Sequence, residues 1–163
     1  MPPYLQDIQA RAFENCTALQ TIIFPQSLQT IYEYAFNGCN KLTDIAIPDN
    51  IPLLKPYAFG GNNIDKLILN STFSPKLWDY AYADNHSIGS VTIDCYSVSQ
   101  GCFAGSDIKT VIIKDNVRIL KNRAFENCKQ LTTFNMGEEQ SEENVFQVNL
   151  LEIGDYCFHN SGV

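Results

Sequence analysis

The sequence predicts a solenoid, a stack of short coils sharing one parallel β-sheet. Three features predict it: an aromatic residue that returns at a nearly fixed interval, a very small residue just before it, and an alternating apolar segment after it. The aromatics are Phe13, Phe36, Phe59, Tyr82, Phe103, Phe125 and Phe158, spaced 23, 23, 23, 21, 22 and 33 residues apart. A period in the twenties held over a whole chain marks a repeat architecture in which each coil contacts only its neighbours.

Each coil opens on apolar residues. Five positions before the aromatics stand Ile8, Ile31, Leu54, Leu77, Val98, Leu120 and Ile153. Three further back stand Leu5, Leu28, Ile51, Val117 and Leu150, with Phe73 one place out of register and Cys95 filling the slot in a shortened coil. The residue before each aromatic is Ala12, Ala35, Ala58, Ala81, Cys102, Ala124 or Cys157, small enough to let the ring turn inward without overfilling its layer. Three positions after the aromatic come Cys16, Cys39, Asn62, Asn85, Ser106, Cys128 and Ser161, all small and able to hydrogen-bond to buried turn carbonyls.

The coil closes on an L-x-x-I-x-I pattern, as in Leu42-Ile45-Ile47 or Ile108-Val111-Ile113. Its last part alternates with period 2 and is rich in β-branched residues, which predicts strands near 21–24, 44–47, 66–69, 90–93, 110–113 and 133–136. Stacked at about 4.8 Å, these strands form one parallel sheet over a continuous core. Pro25 and Pro48 close the first two strands, while Asn70, Asp94, Lys114 and Gly137 take that place later. Where the link after the aromatic is one residue shorter, Gly60-Gly61, Gly105 or Gly162 supplies a tighter turn. The count is six complete coils and a seventh cut short, in a single domain spanning 1–163, and the pattern is that of an excerpt from a longer chain. An acidic insertion lies at about 137–147, and insertions in solenoids often carry partner contacts.

Net charge is −7, and Glu138, Glu139, Glu142 and Glu143 of the insertion carry more than half of it. Near-neutral coils lack the Lys/Arg surface of a nucleic-acid binder. No run of about 18 apolar residues is present, so no membrane-spanning helix is expected. Met1-Pro2-Pro3-Tyr4 shows neither the basic start nor the apolar stretch of a signal peptide. The six cysteines fall in inward columns and are expected as free, protected thiols, with Cys95 the first to react. No C-x-x-C is present and no metal site or cofactor is expected. His86 and His159 lack partners at the spacing of a catalytic group, so they read as turn residues. Three N-glycosylation patterns begin at Asn15, Asn70 and Asn85, but Asn85 belongs to an inward column that would hold no glycan.

Two segments, Ile31-Tyr-Glu-Tyr-Ala-Phe-Asn-Gly-Cys-Asn-Lys-Leu-Thr-Asp-Ile-Ala-Ile-Pro48 and Leu120-Lys-Asn-Arg-Ala-Phe-Glu-Asn-Cys-Lys-Gln-Leu-Thr-Thr-Phe-Asn-Met136, resemble the BspA-like, or treponemal-type, leucine-rich repeats. The resemblance implies a right-handed leucine-rich-repeat solenoid with its parallel sheet on the concave face and short strands, turns or 3-10 segments on the convex face. It further implies a non-enzymatic protein-binding module of a cell-surface or secreted adhesin, with a host extracellular-matrix or cell-surface protein as partner. The rival reading is a cytoplasmic scaffold of the same architecture, consistent with free thiols. In either case the candidate contact surface is the outward face of the strands: Thr21 and Ile23, Asp44 and Ala46, Lys66 and Ile68, Ser90 and Thr92, Thr110 and Ile112, Thr133 and Asn135. Self-association through an open C-terminal coil is also expected, since Ile153, Phe158 and Val163 belong to a coil that stops before its strand.

Overall fold

The structure is a computed structural model and describes residues 1–43, 45, 51, 53–71, 79–136 and 150–163. Ten strands and no helix occur among the described residues, and every pairing between strands is parallel. One side of the coils carries a four-stranded sheet of β4 (Asn63–Ser71), β5 (Ser87–Cys95), β7 (Ile108–Ile113) and β9 (Thr133–Met136). The short strands lie where the coil-opening aliphatics were read. Here β1 (Asp7–Ile8), β2 (Thr30–Ile31) and β3 (Leu53–Leu54) pair in one ladder, and β6 (Ser97–Val98), β8 (Ile119–Leu120) and β10 (Glu152–Ile153) in another. The equivalent position between the two ladders, Leu77, lies outside the described residues, as do Phe73 and the acidic insertion.

The inward columns are buried as the period requires. Ile31, Leu120, Ala35, Ala58, Phe36, Phe59, Tyr82, Phe103 and Phe125 are all fully buried. The rings form a continuous stack, with neighbouring centroids 5.0 Å apart at Phe13–Phe36, 5.2 Å at Phe36–Phe59, 5.8 Å at Phe59–Tyr82 and 5.7 Å at Tyr82–Phe103. It continues through Phe125 to Phe158 at 5.5 and 5.4 Å. Phe24 and Phe134, the aromatics in the alternating segments, meet this stack edge-on. Each ring from Phe36 to Phe125 thus buries both faces against its equivalents, which adds directional contacts to the apolar area removed from water.

The column after the aromatics closes the turns. Cys39 Sγ donates to the Phe13 carbonyl at 3.1 Å, Asn62 Nδ2 to Phe36 and Phe59 at 3.0 and 3.1 Å, Ser106 Oγ to Tyr82 at 2.8 Å, and Cys128 Sγ to Phe103 at 3.1 Å. Asn62, Asn85 and Ser106 are also linked to one another, because Asn85 Oδ1 accepts from the Asn62 N–H and Ser106 Oγ from the Asn85 N–H. Asn85 is buried, in agreement with its exclusion as a glycan site.

Two expectations are corrected. The predicted strand at 21–24 does not form, although Thr21 and Ile23 are exposed and Phe24 is buried as the alternation demands. Pro25 stands where Asn70 and Asp94 pair, and without an N–H it cannot extend a ladder through that position. The strands β4 and β5 run through it and are correspondingly longer than the predicted 66–69 and 90–93. The second correction concerns the thiols. All six cysteines are free, but Cys16 is half-exposed, whereas Cys95 is 8 % exposed and held by its bond to the Ser97 carbonyl. Cys16, and not Cys95, is the more accessible thiol in this structure.

Candidate functional site: the outer sheet face and a tyrosine column

The register of the four-stranded sheet collects eight of the candidate residues into two rows. Lys66, Ser90, Thr110 and Thr133 are paired across the strands in one row, and Ile68, Thr92, Ile112 and Asn135 in the other. Their neighbours Leu67, Val91 and Val111 point inward and are fully buried, so the rows face out. Ile68 is 49 % exposed within a row that is otherwise polar or half-buried. Thr21 and Ile23 are exposed on the first coil but do not join the sheet, and Asp44 and Ala46 lie outside the described residues. The face carries small side chains flanking two isoleucines, which suits a polypeptide surface better than a small molecule. Among the described residues no three His, Cys, Asp or Glu side chains converge as a metal site would require.

A second feature escaped the sequence reading. Two positions before and two after each core aromatic, the backbone is left-handed in every coil. The later column is Asn15, Gly38, Gly61, Asp84, Gly105, Asn127 and Asn160, residue types that tolerate positive φ. The earlier column is Arg11, Tyr34, Tyr57, Tyr80, Gly101, Arg123 and Tyr156, at φ between 55° and 62°. For Arg and Tyr that conformation costs about 1–2 kcal/mol per residue. It serves the stack of coils: N–H groups of the two columns and of the aromatic between them donate to carbonyls of the next coil, as Arg11, Phe13 and Asn15 do to Glu33, Ala35 and Asn37 at 3.0, 2.8 and 2.7 Å.

The tyrosines of the earlier column stack on one another. Tyr34 and Tyr57 lie 5.1 Å apart and within 1° of parallel, and Tyr57 and Tyr80 6.2 Å apart at 19°. Arg11 caps the stack with its guanidinium 4.9 Å from the Tyr34 ring centre, and Arg123 lies 5.6 Å over Tyr156. At the other end Tyr80 occupies the space that a side chain at Gly101 would fill. Each stacking contact returns about 0.5–1.5 kcal/mol, so the two contacts return about 1–3 kcal/mol against about 3–6 kcal/mol for three left-handed tyrosines, and stacking offsets only part of the strain. Burial raises the Tyr57 hydroxyl above its ordinary pKa, helped by the neighbouring Asp84, Tyr34 and Tyr80.

Comparison with known proteins agrees with this architecture. A profile described as BspA type Leucine rich repeat region matches in six copies over residues 6–132. Among solved structures, a leucine-rich repeat protein from Bacteroides ovatus superposes with a TM-score of 0.69 at 23 % identity, covering 100 % of this chain and 40 % of that one. At that identity the likeness speaks for the fold, and the chain spans less than half of its neighbour's length. No curated protein matches.

Proposed function

The chain belongs to the BspA-type leucine-rich repeat family, and from that premise we propose that it is a non-enzymatic adhesin-type module that binds a protein of a host matrix or cell surface through its outer sheet face. Leucine-rich repeats of this fold are in general protein-interaction modules, without shared catalytic groups. The observation that carries the proposal is the register that aligns Lys66, Ser90, Thr110 and Thr133 beside Ile68, Thr92, Ile112 and Asn135 as two rows on the outer face of one sheet. The exposed Ile68 and half-buried Ile112 offer apolar area to a partner at little cost in solubility.

Binding of the protein to immobilised extracellular-matrix and cell-surface proteins tests this directly. Ile68→Lys with Ile112→Lys is expected to leave the fold intact and weaken capture by about tenfold, or about 1.4 kcal/mol. Unaltered capture would move the site off the sheet. The six free thiols favour a second reading, an intracellular scaffold of the same architecture. Protease treatment of intact cells separates the two, since trimming of the protein from living cells requires a surface location.

A further inference from the structure

We propose that the Tyr34–Tyr57–Tyr80 ladder is a second docking strip, separate from the sheet face, and that it receives a basic, arginine-bearing segment of a partner protein. The ladder is held in place at a cost that the coil does not require. Gly101 occupies the same column with φ +56 and shows that the backbone is satisfied there without any side chain. Three successive tyrosines accept the left-handed strain instead, and their stacking returns only part of it.

The geometry selects the partner's chemistry. Both faces of Tyr57 are covered by its neighbours, one face of Tyr34 lies under Arg11, and Tyr80 leans over Gly101. A sugar, which would lie flat on a ring, therefore finds little open aromatic face. Half-buried, the three tyrosines therefore offer ring edge and hydroxyl rather than ring face, and the buried Gly60 lies beneath the Tyr57 ring edge. Charge decides the rest. Glu33 and Asp79 are the chain neighbours of Tyr34 and Tyr80, and Asp84 acts electrostatically on Tyr57. The cations at the two ends of the column are engaged already, Arg11 with Glu14 at 2.9 Å and Arg123 with Glu126 at 3.8 Å. Lys55, two residues before Tyr57, is outnumbered by Glu33, Asp79 and Asp84, so the chain around the ladder is net acidic. Guanidinium groups match such a strip because they donate to carboxylate and phenolic oxygens while lying against aromatic surface, and the column displays that match internally in Arg11 over Tyr34.

The test is titration of the intact protein with an alternating Arg-Gly peptide of about nine residues at about 0.15 M salt, followed by calorimetry and by the ring resonances of the tyrosines. Binding that falls at least about fivefold in Tyr57→Asn with Tyr80→Asn supports the strip; asparagine keeps the left-handed backbone, so the fold should persist. If that variant loses its cooperative unfolding, Glu33→Gln with Asp84→Asn is judged by the same threshold. Affinity that drops less than fivefold, or a peptide that does not bind, overturns the proposal. It stands apart from the sheet-face reading, because Ile68→Lys with Ile112→Lys should leave peptide binding unchanged.

Discussion

Removing one ring from the middle of the aromatic stack should cost far more than removing one from its end. Phe59 is fully buried, stacks on Phe36 at 5.2 Å and on Tyr82 at 5.8 Å, and takes the edge of Phe24 at 6.3 Å. Phe59→Ala therefore loses a full transfer term, leaves a cavity, and ends two stacking contacts, which places it near the upper end of the range of about 3–5 kcal/mol for such truncations. Phe13 is half-buried and stacks on one ring only. Phe13→Ala should cost about half as much, roughly 2 kcal/mol. For a chain of this length the two changes correspond to falls in Tm of about 8–16 °C and 4–8 °C. A third variant, Phe59→Leu, keeps most of the apolar volume and removes the stacking, so about 1–3 kcal/mol is expected. Urea unfolding followed by circular dichroism measures all three. Equal losses for Phe13→Ala and Phe59→Ala would refute the view that each coil is stabilised by neighbours on both sides, and a neutral Phe59→Leu would reduce the stack to simple volume.

Thiol titration should label one cysteine, Cys16, in the native protein and six after denaturation; a stoichiometric disulfide would contradict the column assignment. Alkaline pH should destabilise the fold. Burial pushes Cys95 and Cys128 up to about 12 and Cys39 and Cys157 up to about 11, against an ordinary 9.0. The unfolded chain therefore loses these protons first, the native state binds more of them, and stability that is complete below pH 9.0 declines as pH rises towards 11 and 12; a flat urea midpoint from pH 8 to 11 would count against it. Gly89→Ala should cost about 1–3 kcal/mol, because a Cβ there would stand 2.5 Å from the Asp65 carbonyl oxygen of the neighbouring strand. Ser97→Ala should be neutral or stabilising by up to about 1 kcal/mol, since the buried Ser97 hydroxyl has no hydrogen-bond partner among the described residues. Sedimentation of the 163-residue chain at high concentration should show self-association, given that Leu151, Ile153 and Val163 are 73 %, 58 % and 56 % exposed.

Inward and outward positions were legible from the residues because a period of about 23 in type and of 2 along each strand reports directly which side chains leave water. That is why the period alone places Lys66, Ser90, Thr110 and Thr133 on one face, in the row that the register pairs. The hydrogen-bonding column was legible for the same reason, since Cys39, Asn62 and Ser106 share only smallness and polarity.

Packing of coil on coil settled what the period leaves open. Left-handed backbone at Asn15, Gly38 and Asp84 has a signal in residue type, but at Tyr34, Tyr57 and Tyr80 propensity argues against it, and the demand of the next coil for N–H donors prevails. The stacking of the tyrosine ladder follows from that backbone, although the 23-residue spacing of Tyr34, Tyr57 and Tyr80 is itself visible in the sequence. The exposure of Cys16 against the protection of its equivalents Cys39 and Cys128 has the same origin. A column residue is buried by the coils above and below it, so identical sequence positions acquire different environments along the stack.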